Sequence, residues 1–413
     1  MAGSSVDHLV SLTVFIAAMV IFISLFNQTL QTAVLYQHHR ALATKTSDLL
    51  DNMLLSPGSS LLHGSYWGEG DDPLVSFGLQ DPELTQYNLS PFSLMRLNSS
   101  IGNPVYYPYT GETYSNITLG FGRSLLVPYS AAVNYSEASK LMGINGSYGF
   151  TLTLTPIVTV EVSKVLDNPL SFSVSVTGLG SPLGNAEVNY CLLSVENFGG
   201  GPYPGYATEY DTGFTNDAGL AYINFDDFDG TQKTYSLIVS AHVSSLVGAG
   251  YYTSPLFQDA YITPFISSFE TREVTIAHSY GVHEEGDNAE ISYNATFAVF
   301  GKDFTLRRMS LNDGAESVVG KLNFGQNPHA YDTLKMDSYD AGILIVTYRK
   351  SVQDTGVVVM PWGLCSLGFP ITFGGHPSGQ EWVATDMRQV LVNGIAYQAK
   401  LALWSFEGVQ VIG

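Results

Sequence analysis

Leu9–Phe26 reads LVSLTVFIAAMVIFISLF, and the charge-free stretch around it extends from Leu9 to Gln37. An apolar run longer than about 18 residues is long enough to cross the hydrocarbon of a bilayer as a helix. No basic segment precedes it and no small-x-small cleavage pattern follows it closely, so a cleaved secretory signal fits poorly. The next stretch, HHRALATKTSDLLDNMLL, places Leu42, Thr46, Leu49, Leu50, Met53 and Leu54 at helical spacing, a stripe for one partner surface. Ser56, Pro57 and Gly58 then end the helix, because proline cannot continue it and glycine suits the terminal turn. One helix over 1–58 is predicted, with a membrane span at about 9–37 and its C-terminal part packed on a protein head.

The rest of the chain is predicted to be β-rich. The 413 residues suit about two or three domains. Only 13% are charged, while 12% are aromatic, with 25 Tyr and 22 Phe. That mixture favours strands. Residues 59–165 read as a loop-rich layer with short helices near Pro91–Leu97 and Ser136–Met142, ending in the first strands of the head around 150–162. Residues 166–255 show short alternating strands at sandwich spacing. Residues 256–413 form a further β-unit, in which Val392-Asn393-Gly394-Ile395 marks a hairpin with a type I′ turn. The first-helix stripe needs a sheet to cover, which the strands near 150–162 and the C-terminal region are expected to supply.

Charge and cysteine content narrow the function. The net charge of −20 repels nucleic-acid phosphates, so no nucleic-acid partner is expected. Two cysteines, Cys191 and Cys365, form no CxxC motif; they are either one long-range disulfide or two free thiols. Sequons outside the apolar run occur at Asn88, Asn98, Asn116, Asn134, Asn145 and Asn294. Most of them cluster on the loop-rich layer, as on an exposed, sugar-coated surface. Arg40 and Lys45 follow the span and Asp7 precedes it, which alone would put the C-terminal side in the cytoplasm. The sequon cluster outweighs two basic residues and places the head outside.

Candidate chemistry is sparse. His278, His283, Glu284, Glu285 and Asp287 carry metal-ligand types, but Gly281 and Gly286 break the helical spacing a zinc pair needs. Asp226, Asp227 and Asp229 gather oxygens in one turn without the spacing or closing Glu of a calcium loop. Neither set is assigned a metal. No Gly-x-Ser-x-Gly elbow or phosphate-binding loop occurs, and Gly199, Gly200 and Gly201 run into Pro202. No catalytic residue and no cofactor is expected; an ectoenzyme is a remote alternative.

The start GSSVDHLVSL, the apolar helix, its amphipathic extension and a β-rich head resemble archaeal type IV pilin-like surface proteins. LLSPG at 54–58 and LMGINGSYGFTLTLTP at 141–156 extend that resemblance over roughly the first 165 residues. It implies a structural role at the cell surface and assembly with identical subunits, Asp7 standing for the acidic residue that pairs with a neighbour's terminal amine. The order GSPLGNAEV, TNDAGLA and YSLIVSA within 166–255 resembles bacterial Ig-like and carboxypeptidase-regulatory-like domains, which are mostly spacers. The expected fold is therefore mainly β with one long N-terminal α-helix, a pilin-like helix plus antiparallel β-sandwich domains. Two roles stay open: a surface protein anchored or polymerised through its helix, or a single-pass anchored adhesin on an Ig-like stalk, its extracellular ligand unknown.

Overall fold

A computed structural model describes residues 2–84, 86–97, 105–107, 111–117, 125–196, 201–254, 262–278, 290–301, 303–322, 331–350, 354–363, 368–377 and 382–406. The chain is mainly β with one long N-terminal helix. Helix α1, Ala2–Leu55, is unbroken over 54 residues. Gly58 follows with φ of +69°, and a side chain there would stand 2.6 Å from the Gly78 backbone nitrogen. Only glycine therefore makes this exit turn.

The C-terminal turns of α1 bury the predicted stripe: Leu42, Thr46, Leu49, Leu50, Met53 and Leu54. Thr46 is tolerated there because its hydroxyl donates to Leu42 O at 2.8 Å. The partner is a four-stranded antiparallel sheet in the order Ile371–Gly374, Tyr148–Pro156, Ile395–Ser405, Val383–Val392. Its inner face supplies Phe150, Leu152, Leu154, Leu401 and Leu403, all buried. Thr151, Thr153, Gln398 and Lys400 alternate with them onto the opposite face, as the pleat requires. Asn393 and Gly394 both have positive φ, 45° and 83°, the geometry of the predicted type I′ hairpin.

An ion pair fastens helix to sheet. Arg388 donates from Nε to Asp51 Oδ1 at 2.9 Å and from Nη2 to Asp51 Oδ2 at 3.0 Å and Ser47 Oγ at 2.9 Å. Its Nη1 lies 2.9 Å from Asp386 Oδ1. This planar fork between two elements fixes an orientation that greasy contact alone would leave free to slide.

The chain leaves this sheet at Ile157. Val158–Asp167 pairs with Leu170–Gly178, so the sandwich begins at Val158, earlier than the sequence boundary at 166. The strands expected near 150–162 thus divide: those up to Pro156 cover the helix and those from Val158 belong to the sandwich. One sandwich sheet runs Leu220–Phe225, Leu170–Gly178, Val158–Asp167. The other runs Gly205–Phe214, Glu187–Glu196, Tyr235–Val243, Leu246–Thr253. Phe172, Val174, Val188, Leu192, Leu237 and Val239 fill the space between them.

The two central strands of the second sandwich sheet, Glu187–Glu196 and Tyr235–Val243, are largely buried on both faces. The sheet's outer residues Leu193, Val195, Ile238 and Ala249 join the core of the head. The sandwich is therefore an insertion braced against the head rather than a free spacer.

Residues 59–165 and 256–413 are interleaved. A six-stranded sheet runs Tyr331–Lys335, Glu273–His278, Ile262–Ser268, Leu125–Pro128, Glu112–Ile117, Val105–Tyr107, drawing on both regions. A further sheet holds Leu306–Met309, Ile291–Phe300, Gly342–Arg349 and Thr355–Trp362, with Val318–Leu322 also paired to Ile291–Phe300. Helix α2, Pro91–Leu97, and helix α3, Tyr135–Leu141, fall where the sequence placed them. One core contains the α1 stripe, α2 and the C-terminal strands together.

Leu50 is the stripe residue to test, being fully buried between α1 and the sheet. Leu50→Ala is expected to destabilise the detergent-solubilised protein by about 3 kcal/mol in chemical denaturation, through lost transfer energy and a residual cavity. An effect below about 1 kcal/mol would mean that α1 is not seated on this sheet.

Candidate functional site

The head holds only the end of α1. From Asp7 to Ala41 the side chains are exposed, apart from half-buried Leu35 and His38. Phe22 is 69% exposed and Leu9 65%. The described chain has this one helix long and apolar enough to cross a membrane. At about 1.5 Å per residue, Leu9–Gln37 extends about 42 Å beyond the head.

Three of the polar side chains within the projection are satisfied by their own helix. Thr13, Thr29 and Thr32 each donate a hydroxyl to the carbonyl four residues back, Leu9, Leu25 and Gln28, at 2.8 Å. A hydroxyl satisfied by its own helix costs little to remove from water. Asp7 sits near the free end, exposed.

The other sequence candidates are scattered. Asn88 is half-buried and bridges to Leu391 beside the helix-bearing sheet. Asn98 lies outside the described residues, as does the side chain of Asn116, whose backbone belongs to Glu112–Ile117. Asn134 is exposed and caps α3, its Oδ1 accepting from Ser136 N at 2.8 Å. Asn145 is exposed in the turn before Tyr148. Asn294 is mid-strand in Ile291–Phe300, flanked by a strand on both sides, with Oδ1 enclosed and unbonded. That is a poor acceptor geometry for a glycan.

Cys191 is a buried free thiol in Glu187–Glu196, and Cys365 lies outside the described residues. Of the histidine-rich segment, 279–289 lies outside the described residues too. At the aspartate turn, Asp229 Oδ1 accepts from Thr231 N at 2.9 Å and Thr231 Oγ1 at 2.6 Å, which closes the loop on itself. Among the described residues no group of three His, Cys, Asp or Glu side chains has a metal-holding arrangement.

Sequence reasoning missed two polar groupings. One is the Arg388 clamp; its only signal was a lone arginine in an otherwise alternating strand. The other surrounds Arg96, which is 3% exposed and donates to Ala131 O at 2.6 Å and to Trp67 O. Beside it, Asp71 accepts from Ser268 Oγ at 2.7 Å, and Tyr339 Oη donates to Phe269 O at 2.8 Å. These bonds stitch the loop-rich layer to the C-terminal strands.

A cleft of about 270 Å³ opens beside this grouping, lined in part by Tyr66, Glu69, Asp81, Glu83 and Tyr339. Burial, then the nearby Glu83 and Asp81 charges, push the Glu69 carboxyl up to about 7. Burial likewise pushes the Cys191 thiol up to about 12, leaving it a poor nucleophile at neutral pH.

No family model matches this chain, and no curated protein matches it. Among solved structures, red sea bream transglutaminase aligns over 61% of this chain and 37% of its own, at 7% identity and a TM-score of 0.18. The chain thus spans little more than a third of that protein's length, and so low a score carries no argument about fold or activity.

Two outcomes follow from the ionisable groups. Glu69 titrates near 4.5 when unfolded and near 7 when folded, so between those values the folded state holds a proton that the unfolded state has released. Its contribution to stability is complete below that window and is lost as pH rises through it. Glu69→Gln should lose less stability than wild type between pH 5 and pH 8 in denaturant titrations, and parallel curves would show an unperturbed carboxyl. In a Cys365→Ser background, Cys191 should resist maleimide at pH about 8 until denaturant is added. Rapid labelling of the folded protein would contradict its burial.

Proposed function

We propose that this protein is a pilin-like structural component of the cell surface, anchored or polymerised through its N-terminal helix. The observation that supports this reading is the division of one continuous helix between two environments. Its last turns are clamped to a sheet, and the remainder projects with its apolar side chains uncovered. Soluble proteins rarely leave so large an apolar surface in water. Two media accommodate it: a bilayer, and a bundle of the same helices from neighbouring copies.

The second medium makes a filament. The helices leave the lipid and pack together, the heads form the shell, and Asp7 near the free end meets a neighbour's amine, as the resemblance implies. The bracing of the Ig-like insertion favours a rigid shell subunit over an adhesin on a swinging stalk. In this reading the head is extracellular, and the exposed Asn134 is available for a glycan.

Electron microscopy of native envelope extracts, with N-terminal sequencing of the same material, tests this. Filaments containing the chain, with an N-terminus trimmed near Gly3, are expected, and Asp7→Ala should abolish them while leaving the membrane-bound pool intact. Detergent-dependent monomers that keep residues 1–3 would overturn polymerisation and leave a single-pass anchored protein.

A further inference from the structure

The base of the head, where α1 emerges, gathers aromatic and cationic side chains. Three strand ends meet there. Tyr148–Pro156 begins, Ile395–Ser405 ends and Val383–Val392 begins, with Tyr148 paired to Ser405 and Trp404 to Val383. Just beyond those ends stand Trp382 and Phe406; the latter is 54% exposed, and its nitrogen donates to Ser147 O at 3.0 Å. The emerging helix touches the same rim. His39 lies edge-on to the Trp382 ring at 4.2 Å, and Lys45 holds its ammonium 4.3 Å from the centre of the Tyr148 ring. Tyr36, 68% exposed, and the exposed Arg40 complete the ring.

From this arrangement we infer that the rim is a lipid-headgroup contact surface, in which Arg40 and Lys45 bind the phosphates of anionic lipids and the aromatic rings lie among the headgroups. The inference rests on the anchoring reading and adds a partner to it. Three observations carry it. First, the length matches: Leu9–Gln37 extends about 42 Å, against about 40–45 Å for a bilayer with its headgroups, so Arg40 reaches the phosphate level when the apolar run is immersed. Second, the composition matches. Tryptophan and tyrosine concentrate at membrane interfaces because each ring has an apolar body and a polar edge. Third, the charge matches. The whole chain holds 17 Lys and Arg against 37 Asp and Glu, yet the described side chains at this rim include two cations within two turns of α1, Arg40 and Lys45. Asp48, the exposed acid of α1 nearest the rim, stands about 12 Å farther from the bilayer than Arg40 and about 4.5 Å farther than Lys45.

The proposal also gives the cations after the span a local partner. They are expected to hold the head down on an anionic leaflet through short-range attraction, which falls off within a Debye length. Each contributes about 5-fold in preference for anionic over zwitterionic lipid.

The test uses the full chain in nanodiscs of equimolar phosphatidylcholine and phosphatidylglycerol. Two quantities are read: the ratio of the two lipids retained on mild detergent extraction, and quenching of tryptophan fluorescence by a headgroup-attached nitroxide. Trp67, Trp362 and Trp404 are buried, so Trp382 is the accessible reporter, and W382F is the control for it. Enrichment of phosphatidylglycerol is expected, falling about 5-fold per charge removed in R40Q and R40Q/K45Q and unchanged in R307Q, whose cation lies elsewhere on the head. Quenching is expected in wild type and lost in W382F.

A chain that enters nanodiscs but retains lipid at the bulk ratio, without quenching, overturns this inference and leaves the anchor standing. Enrichment that survives in R40Q/K45Q overturns it as well. A glycan found on Asn145, three residues before Tyr148 at this rim, would hold the head off the headgroups and have the same effect. A chain that does not enter nanodiscs at all overturns the anchoring reading and this inference together.

Discussion

A single helix cannot satisfy water along its whole length when most of its side chains are apolar on every face. Helix α1 meets that constraint by dividing its length. Over its last turns the stripe from Leu42 to Leu54 is covered by a sheet, and from Asp7 to Ala41 the protein half-buries Leu35 and His38 alone. Hydrophobic burial is non-directional, so the stripe by itself would let the helix rotate or slide. The fork from Arg388 to Asp51 and Ser47 removes that freedom, which also fixes how the projecting segment is aimed.

The helix-bearing sheet shapes the rest of the head. Tyr148–Pro156 and Ile395–Ser405 are adjacent in that sheet yet lie far apart in sequence. Everything between them, the sandwich and the C-terminal strands, is therefore held at both ends by one antiparallel pair. Long-range closure of this kind is entropically costly to form, and the buried contacts behind it offset that cost. The sandwich sheet carrying Leu193 and Ile238 adds a second attachment, since its outer face is part of the head's core. An element that in sequence looks like an independent spacer is thereby immobilised.

The cations of this acidic chain are used where geometry must be fixed. Arg96 is enclosed among backbone carbonyls and lies over the Trp67 ring at 5.2 Å. Arg272 donates to Asp337 O at 2.6 Å and sits 5.3 Å from the centre of the Tyr339 ring. Guanidinium groups suit this work because they satisfy several oxygens in a plane while stacking on aromatic faces. Much of the remaining surface is left to acids and uncharged polar groups, which keeps copies from associating through their heads without a specific contact.

Periodicity by itself determined the elements: the apolar run and its length, the stripe on the last turns of α1, the stop at Pro57 and Gly58, the Asn393-Gly394 hairpin, and the strand alternation. Each depends on residues within a few positions of one another, where a period of two or 3.6 leaves a direct trace. Tertiary structure decided what those elements belong to. Val158 and Pro156 alternate in the same pattern, yet one serves the sandwich and the other the helix-bearing sheet, because partner choice depends on strands far away in sequence. The sequence pointed to a helix-bearing sheet drawn from 150–162 and the C-terminal region, but not to the six-stranded sheet that 59–165 and 256–413 also share, nor to Arg388 reaching Asp51 across 337 positions. Such contacts follow from how distant surfaces fit together, and local spacing carries no record of that.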